Sequence, residues 1–144
     1  MLIDPTESES AVPLFLSLLD SERVSVGGKL NIVSVGGFKN DTRETSLADV
    51  VLNVKAAMEN GDTVLLLNSE PVRSSFYDLF NLHMSAIASK GSDGTLTTQY
   101  FTNLAIGSLT LACMVHPDFK IIVHMPSSLL PATQTPFLDR CAFR

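Results

Sequence analysis

The run Thr63–Leu67 (TVLLL) is the strongest constraint on how this chain can fold. It has no polar interruption, and turn residues flank it, with Asn60-Gly61 before it and Asn68-Ser69-Glu70 after it. Successive strand side chains point to opposite faces, so a strand without alternation needs an apolar layer on both faces. The run therefore favours a buried strand of a parallel sheet that has helices on both sides.

Two further apolar segments predict strands of the same sheet. Leu30–Val35 is bounded by glycine pairs, and Phe119–Met125 follows a Pro-Asp turn. Between the first two strands, the segment from Thr45 to Asn60 predicts an amphipathic helix. Its apolar residues recur at three- and four-residue spacing: Leu47, Val50, Val51, Val54, Ala57 and Met58. Helices between buried strands imply right-handed crossovers in a parallel sheet.

The later segments continue this α/β order. Ser74–Ala88 carries an apolar stripe that predicts another helix, and Lys90–Gly94 predicts a turn. Residues 95–115 contain two β-like runs around Gly107, which predict a hairpin. A last short helix starts at Thr135, where a proline follows in the first turn.

The first residues are harder to place. An apolar stripe in residues 1–23 predicts a helix, for which Ser8 and Ser10 are candidate caps. We expect three central strands and no edge strand, which indicates a piece of a larger α/β domain. The predicted division is an uncertain segment at residues 1–25 and an incomplete α/β unit at residues 26–144.

Composition and charge exclude several classes of function. The 144 residues carry 10 Lys and Arg against 15 Asp and Glu, a net charge of −5 without a basic block, which argues against nucleic-acid binding. No apolar run approaches the roughly 18 residues of a membrane span. Acidic residues precede the first apolar stretch, where a secretory signal carries positive charge. The two cysteines, Cys113 and Cys141, lie far apart, so we expect a reduced, cytosolic domain.

The residues after the central strand are the first candidate site. Apolar residues followed by polar or acidic ones at a strand end are typical of a Walker-B element, in which one carboxylate holds Mg²⁺ and another orients the attacking water. Here the metal-side position is Asn68, which is uncharged and a poor Mg²⁺ partner. Glu70, the candidate catalytic acid, stands one residue further along than usual. The alternative is a buried strand with a polar end and no catalytic role.

Two more side chains fit a nucleotide site. His124, near the end of the third strand, is a candidate sensor of a nucleotide γ-phosphate; the alternative is a partly buried histidine bonded to backbone. Arg140 is a candidate arginine finger for a neighbouring subunit's phosphate, because arginine stabilises the charge of phosphoryl transfer. The alternative for Arg140 is a surface cation on a helix.

The phosphate-binding loop of such sites is missing. No GxxxxGK[ST] sequence occurs, and Gly27-Gly28-Lys29 runs into a strand instead of a helix. We therefore expect no ATP or Mg²⁺ for this chain alone. The histidines His83, His116 and His124 have no ligand spacing, so no metal site is predicted either.

Three blocks of sequence match one family pattern in order. Asn53–Asn81 carries VK…ME-G, a strand ending in LLN and a helix like YESLYDALNQ. Tyr100–Met125 carries a turn like LGLG and a run like CxVHxDFRLIV. Thr135–Phe143 carries Pro136, Leu138 and Arg140 at the spacing of PxPLINRLEK. In these blocks the chain resembles the mysterin family of giant AAA+ RING-finger E3 ubiquitin ligases.

The resemblance implies a fold and a role. The fold would be an incomplete AAA+ (P-loop NTPase-like) large subdomain with a β-hairpin insertion, whose phosphate loop and first strand lie upstream and whose lid lies downstream. The role would be that of a degenerate unit, structural or coupling, that packs against neighbouring AAA+ units. ATP and Mg²⁺ would serve the parent, a cytosolic ligase linked to lipid droplets. These residues contain no RING segment, so ligase activity is not expected here.

Two other readings remain open. A stand-alone, non-catalytic α/β protein-interaction domain would keep the fold and lack the site. A small hydrolase of another class would need a catalytic constellation, and none is evident in the sequence.

Overall fold

The predicted central strand is present: Thr63–Leu67 is buried at every position and pairs with a parallel strand on each side. This computed structural model describes residues 1–6, 8–21, 26–36, 44–90 and 95–141. In those residues the strands are β1 (Leu2–Asp4), β2 (Leu30–Ser34), β3 (Thr63–Leu67), β4 (Ser85–Lys90), β5 (Leu96–Ile106), β6 (Leu109–Val115) and β7 (Lys120–Pro126). The helices are α1 (Ala11–Asp20), α2 (Glu44–Asn60), α3 (Tyr77–Phe80), α4 (Thr135–Cys141) and the 3₁₀ helices Glu70–Phe76 and Ser127–Ala132.

The main sheet has four parallel strands in the order β1-β7-β3-β2. Thr63 of β3 lies opposite Leu30 of β2 and Lys120 of β7. The prediction that Leu30–Val35, Thr63–Leu67 and Phe119–Met125 form strands of one parallel sheet is therefore confirmed. Because all four strands point the same way, their carboxyl ends lie at one edge of the sheet, which we call the carboxyl edge.

Helices cover both faces of β3, which explains its unbroken apolar sequence. Val64 and Leu66 belong to the cluster that contains Val54 of α2, whereas Leu65 belongs to the cluster that contains Phe15 of α1. Full burial of each such side chain contributes about 1.5–3 kcal/mol. The two-sided packing of β3 is thus the main apolar contribution of the sheet.

Helix α2 ends where the sequence predicts. Gly61 follows its last residue with φ +77°, and the amide of Asp62 donates to the carbonyl of Ala57 at 2.9 Å. A side chain at Gly61 would also collide with the ring of His116. Glycine is therefore required here by both backbone conformation and space.

The helix predicted for Ser74–Ala88 is wrong beyond Phe80. The chain forms a 3₁₀ helix and the short α3, turns at Leu82 with φ +54°, and then enters β4. Phe76 is buried, but Ile87 is 54% exposed, so the apolar stripe does not continue on one face. Antiparallel pairing of β4 with β5 stabilises this segment, and such long-range pairing is invisible to a local helical pattern.

The predicted hairpin around Gly107 is confirmed and is part of a larger unit. Strands β4, β5 and β6 form a three-stranded antiparallel sheet in that order. Leu104 of β5 and Cys113 of β6 are buried in the same cluster as α2. Strand β4 and the start of strand β5 are exposed to solvent. Of the predicted turn Lys90–Gly94, residues 91–94 lie outside the described part of the chain.

The expectation of a sheet without edge strands is wrong. Strand β1 pairs with β7 in parallel, with Leu2 opposite His124, and β1 and β2 form the two edges in the described part of the chain. The first strand and its helix thus lie within this chain, whereas the resemblance implied a first strand upstream. β1 has three residues, too few to show a strand pattern.

The predicted helix in residues 1–23 is present as α1, and the final helix is present as α4. None of the helices in the described part of the chain has the length and hydropathy that a membrane crossing requires.

Candidate functional site

A cleft of about 240 Å³ lies at the carboxyl edge, where ligands of open parallel sheets bind. Strands β2, β3 and β7 end around it, and the 3₁₀ helix after β3 forms part of its wall. Among its lining residues are Gly36, Asn68, Glu70, Arg73 and His124. The structure therefore brings together three of the four residues predicted for a site, Asn68, Glu70 and His124.

Asn68 directly follows β3 and adopts a left-handed conformation with φ +52°. Asparagine tolerates this region better than most residues, so it suits a chain that turns sharply out of a strand. Its side chain is exposed and uncharged. At the end of β3 Asn68 therefore presents an amide and not a carboxylate.

Glu70 begins the 3₁₀ helix and is exposed, and Pro71 follows it. It lines both the cleft and a second cavity of about 410 Å³. Arg73, one turn further along, donates from Nε to the Ser69 hydroxyl at 3.4 Å and also lines both cavities. Sequence reasoning did not single out Arg73, because a helical arginine is an ordinary surface residue.

Arg140 lies away from the cleft, on the second cavity. Its guanidinium is 5.3 Å from the centre of the Tyr77 ring, and that of Arg73 is 4.5 Å from the centre of the Phe137 ring. Stacking of this kind holds an arginine in place at a modest gain in stability. Arg140 is thus held on α4 beside α3 and does not contact the group formed by Asn68, Glu70 and His124.

His124 is fully buried and contacts a residue that the sequence did not single out. Its Nε2 lies 3.2 Å from Oδ2 of Asp4, and both side chains have no exposed surface. The histidine bonds a carboxylate, which neither sequence reading of His124 included. Its other ring nitrogen, Nδ1, has no hydrogen-bond partner among the described residues.

The carboxylate of Asp4 collects donors from the loop between β1 and α1. Its Oδ1 accepts from the amide and hydroxyl of Thr6 at 2.8 and 2.7 Å and from the Ser10 hydroxyl at 3.3 Å. Its Oδ2 accepts from the amide of Ala11 at 2.7 Å. Ser10, one of the two predicted candidates, stands at the N-cap position of α1, but its side chain makes no capping hydrogen bond. Asp4 accepts from the first amide of the helix instead.

The pKa of Asp4 reflects this environment. Burial alone would raise the pKa, but hydrogen bonds from the Ala11 amide, from the Thr6 hydroxyl and amide and from His124 hold it well below its usual range. The folded protein therefore keeps a buried, ionised carboxylate at neutral pH. An aspartate followed by proline and threonine was the only sequence sign of such a turn.

The arrangement does not favour metal chemistry. In the parts of the chain that the structure describes, no group of three or more His, Cys, Asp or Glu side chains could hold a metal ion.

Comparison with known proteins identifies the family. The RNF213 AAA domain model matches residues 1–142. The human E3 ubiquitin-protein ligase RNF213 is 30% identical over 117 residues, 75% of this chain, and the zebrafish (Danio rerio) E3 ubiquitin-protein ligase rnf213-beta is 33% identical over 92 residues, 64% of this chain. A Dictyostelium discoideum protein described as an uncharacterized transmembrane protein is 34% identical over 140 residues, 97% of this chain.

The match covers only 2% of the length of each of these relatives. The resemblance to large AAA+ ubiquitin ligases is nevertheless confirmed, and the parallel sheet with flanking helices and a hairpin sheet fits an incomplete AAA-like α/β fold. The family model begins at the first residue, so it includes β1 and α1 with the rest of the sheet. The chain therefore belongs to the RNF213 AAA domain family.

Proposed function

We propose that this chain is a degenerate AAA module that does not hydrolyse ATP and that serves a structural or coupling role in an RNF213-like E3 ubiquitin-protein ligase. The observation that carries the proposal is Asn68, an uncharged side chain at the position after β3 where hydrolysis needs a metal-binding carboxylate. An amide oxygen alone offers Mg²⁺ little of the charge that it requires.

The loop between β1 and α1 supports the same conclusion. Residues 5–10 read PTESES and contain neither the glycines nor the lysine of a phosphate-binding loop. Such a loop needs glycine for close backbone approach to the phosphates and lysine for their charge. The residues present do not fit an ATP–Mg²⁺ complex, so ATP and Mg²⁺ belong to other modules of the larger protein.

The partners in this proposal are the neighbouring AAA modules. Arg140 stands on α4, apart from the cleft of its own module, and serves the phosphate of a nucleotide bound next door. The ubiquitin-transfer step belongs elsewhere in the larger protein, because two cysteines and three histidines cannot supply the zinc sites of a RING domain. Both described cysteines are free, which fits a cytosolic location.

The test is ATP hydrolysis by the full-length ligase that contains this module. We expect Glu70→Gln to leave the rate unchanged, and Arg140→Ala to lower it by at least about tenfold if the neighbouring site dominates the rate, since an arginine finger contributes 10³–10⁵ in known cases. Arg73→Ala is the matched control, because Arg73 lines the same cavity and also stacks on an aromatic ring. A tenfold loss with Glu70→Gln would show that this module hydrolyses ATP and would refute the proposal.

A further inference from the structure

The loop between β1 and α1 occupies the position of a phosphate-binding loop. It starts at the carboxyl end of a parallel strand and ends at the amino terminus of a ten-residue helix. Asp4, the strand residue from which it departs, contacts His124, which is among the residues around the cleft. In proteins that bind phosphate with this arrangement, the anion sits on the free amides of the helix terminus. Here the Asp4 carboxylate accepts from the amide of Ala11, the first residue of that helix, at 2.7 Å.

We propose that the carboxylate of Asp4 is a built-in anion that takes the phosphate position, so that this module excludes nucleotide phosphate. The inference rests on the proposed function, since it gives a cause for the loss of nucleotide binding. Asp4 is then the residue that decides what the crevice accepts.

The donors around Asp4 are those that recognise a phosphate group. Two backbone amides, two hydroxyls and one imidazole lie within 3.3 Å of its two oxygens: those of Thr6, Ser10, Ala11 and His124. Charge-assisted hydrogen bonds of this kind are stronger than bonds between neutral groups. The carboxylate has no exposed surface, so water does not compete for these donors.

A second observation concerns the buried side chain that bonds Asp4. His124 is fully buried and bonds Asp4 through Nε2, while its Nδ1 has no partner among the described residues. A buried, unsatisfied ring nitrogen is costly, and native proteins rarely keep one without a reason. His124 is also one of the residues around the cleft, so the end of β7 connects the position of Asp4 with the space where a nucleotide would lie.

The experiment is anion rescue of Asp4→Ala in the full chain, followed by thermal unfolding. Removing the carboxylate leaves its donors buried without an acceptor, so we expect Tm to fall by about 5 °C or more. Acetate or inorganic phosphate at about 50–100 mM should then raise the Tm of the variant by several degrees more than chloride of equal ionic strength, and should not do so for the wild type.

Asp62→Ala is the matched control. Asp62 also accepts from a backbone amide, that of Lys29 at 2.8 Å, but it lies at the opposite edge of the sheet, before β3. Its variant should lose stability without anion-specific rescue. Equal responses of the two variants to acetate and phosphate would overturn the inference.

A second variant covers the case in which Asp4→Ala does not fold. Asp4→Asn keeps the size of the side chain and one acceptor oxygen, so it should fold with a lower Tm and show no rescue, because the amide still fills the position. A Tm equal to that of the wild type at pH 7 would show that the donors do not require an anion, and would overturn the inference.

Nucleotide binding separates this inference from the proposed function. Titration of the wild-type chain with ATP should give no binding at micromolar concentrations. Micromolar binding would overturn the claim that Asp4 excludes phosphate. The proposed absence of hydrolysis is tested separately, by the ATP hydrolysis rate of Glu70→Gln.

Discussion

Oδ2 of Asp4 lies 3.2 Å from Nε2 of His124, although 120 positions separate the two residues in the sequence. The contact joins the first strand of the main sheet to the last. It is the point at which the amino-terminal loop, the cap of α1 and the cleft at the carboxyl edge meet.

This relationship predicts a pH dependence of stability. The pKa of Asp4 is lowered in the folded state, and in the unfolded chain it returns to about 4. Its contribution is therefore fully present above about pH 4 and is lost as the pH falls further toward the folded pKa. Thermal unfolding between pH 3 and pH 7 should show a steeper acid loss for the wild type than for Asp4→Asn. Parallel curves would contradict the prediction. Both proteins contain His124, so a difference between the curves comes from Asp4.

Gly61→Ala should be strongly destabilising. The residue has φ +77°, and an added Cβ would collide with the ring of His116. Gly36→Ala is the matched control, since Gly36 has φ +71° with open space around it. We expect Gly36→Ala to lower the free energy of unfolding by about 1–2 kcal/mol through backbone strain alone. Gly61→Ala should lower it by clearly more. Urea unfolding measures both, and equal losses would mean that the His116 ring moves aside freely.

The two faces of β3 should be equally sensitive to truncation. Leu65 and Leu66 are both fully buried, one in the cluster with α1 and the other in the cluster with α2. Leu65→Ala and Leu66→Ala should each cost about 2–5 kcal/mol, and Ile32→Ala, at a side chain 49% exposed, less than about 1 kcal/mol. Chemical unfolding gives all three values. A small loss for Leu65→Ala alone would show that α1 does not cover its face in solution.

The two cysteines should react at different rates. Cys113 is buried on β6 and Cys141 is partly exposed on α4, and burial raises the pKa of both thiols. The thiolate is the reactive form, so access decides the order. Iodoacetamide followed by mass spectrometry should label Cys141 at least about ten times faster, and Cys113 at a comparable rate only after unfolding. Fast labelling of native Cys113 would contradict the packing of β6 on α2.

The sequence pattern predicted correctly those elements whose structure follows from their own residues and near neighbours. The unbroken run Thr63–Leu67 predicted a two-sided parallel strand, and the Asn60-Gly61 pair predicted the end of α2. The pattern failed at Ser74–Ala88. Its apolar stripe predicted one helix, but the second part of the segment forms β4, because β4 pairs with β5. It also failed at β1, whose three residues become a strand only through β7.

The candidate site also contains residues that the sequence predicts and residues that only the folded chain brings together. Asn68, Glu70 and His124 were predictable because parallel strands that end together place such residues at one edge. Asp4 was not, since its donors come from Thr6, Ala11 and a histidine on the last strand, and only the folded chain brings them together. Arg140, predicted as a finger for a neighbouring subunit's phosphate, lines a second cavity and not the cleft at the carboxyl edge.

The position of β1 has a consequence for biosynthesis. In the described part of the chain β1 pairs with β7 alone, so residues 2–4 leave the ribosome before their partner, which is made about 120 residues later. At 5–20 residues per second, that delay is roughly 6–24 s. During this interval β2, α2 and β3 are already free to assemble, and β1 can complete its edge of the sheet only after β7 has been made.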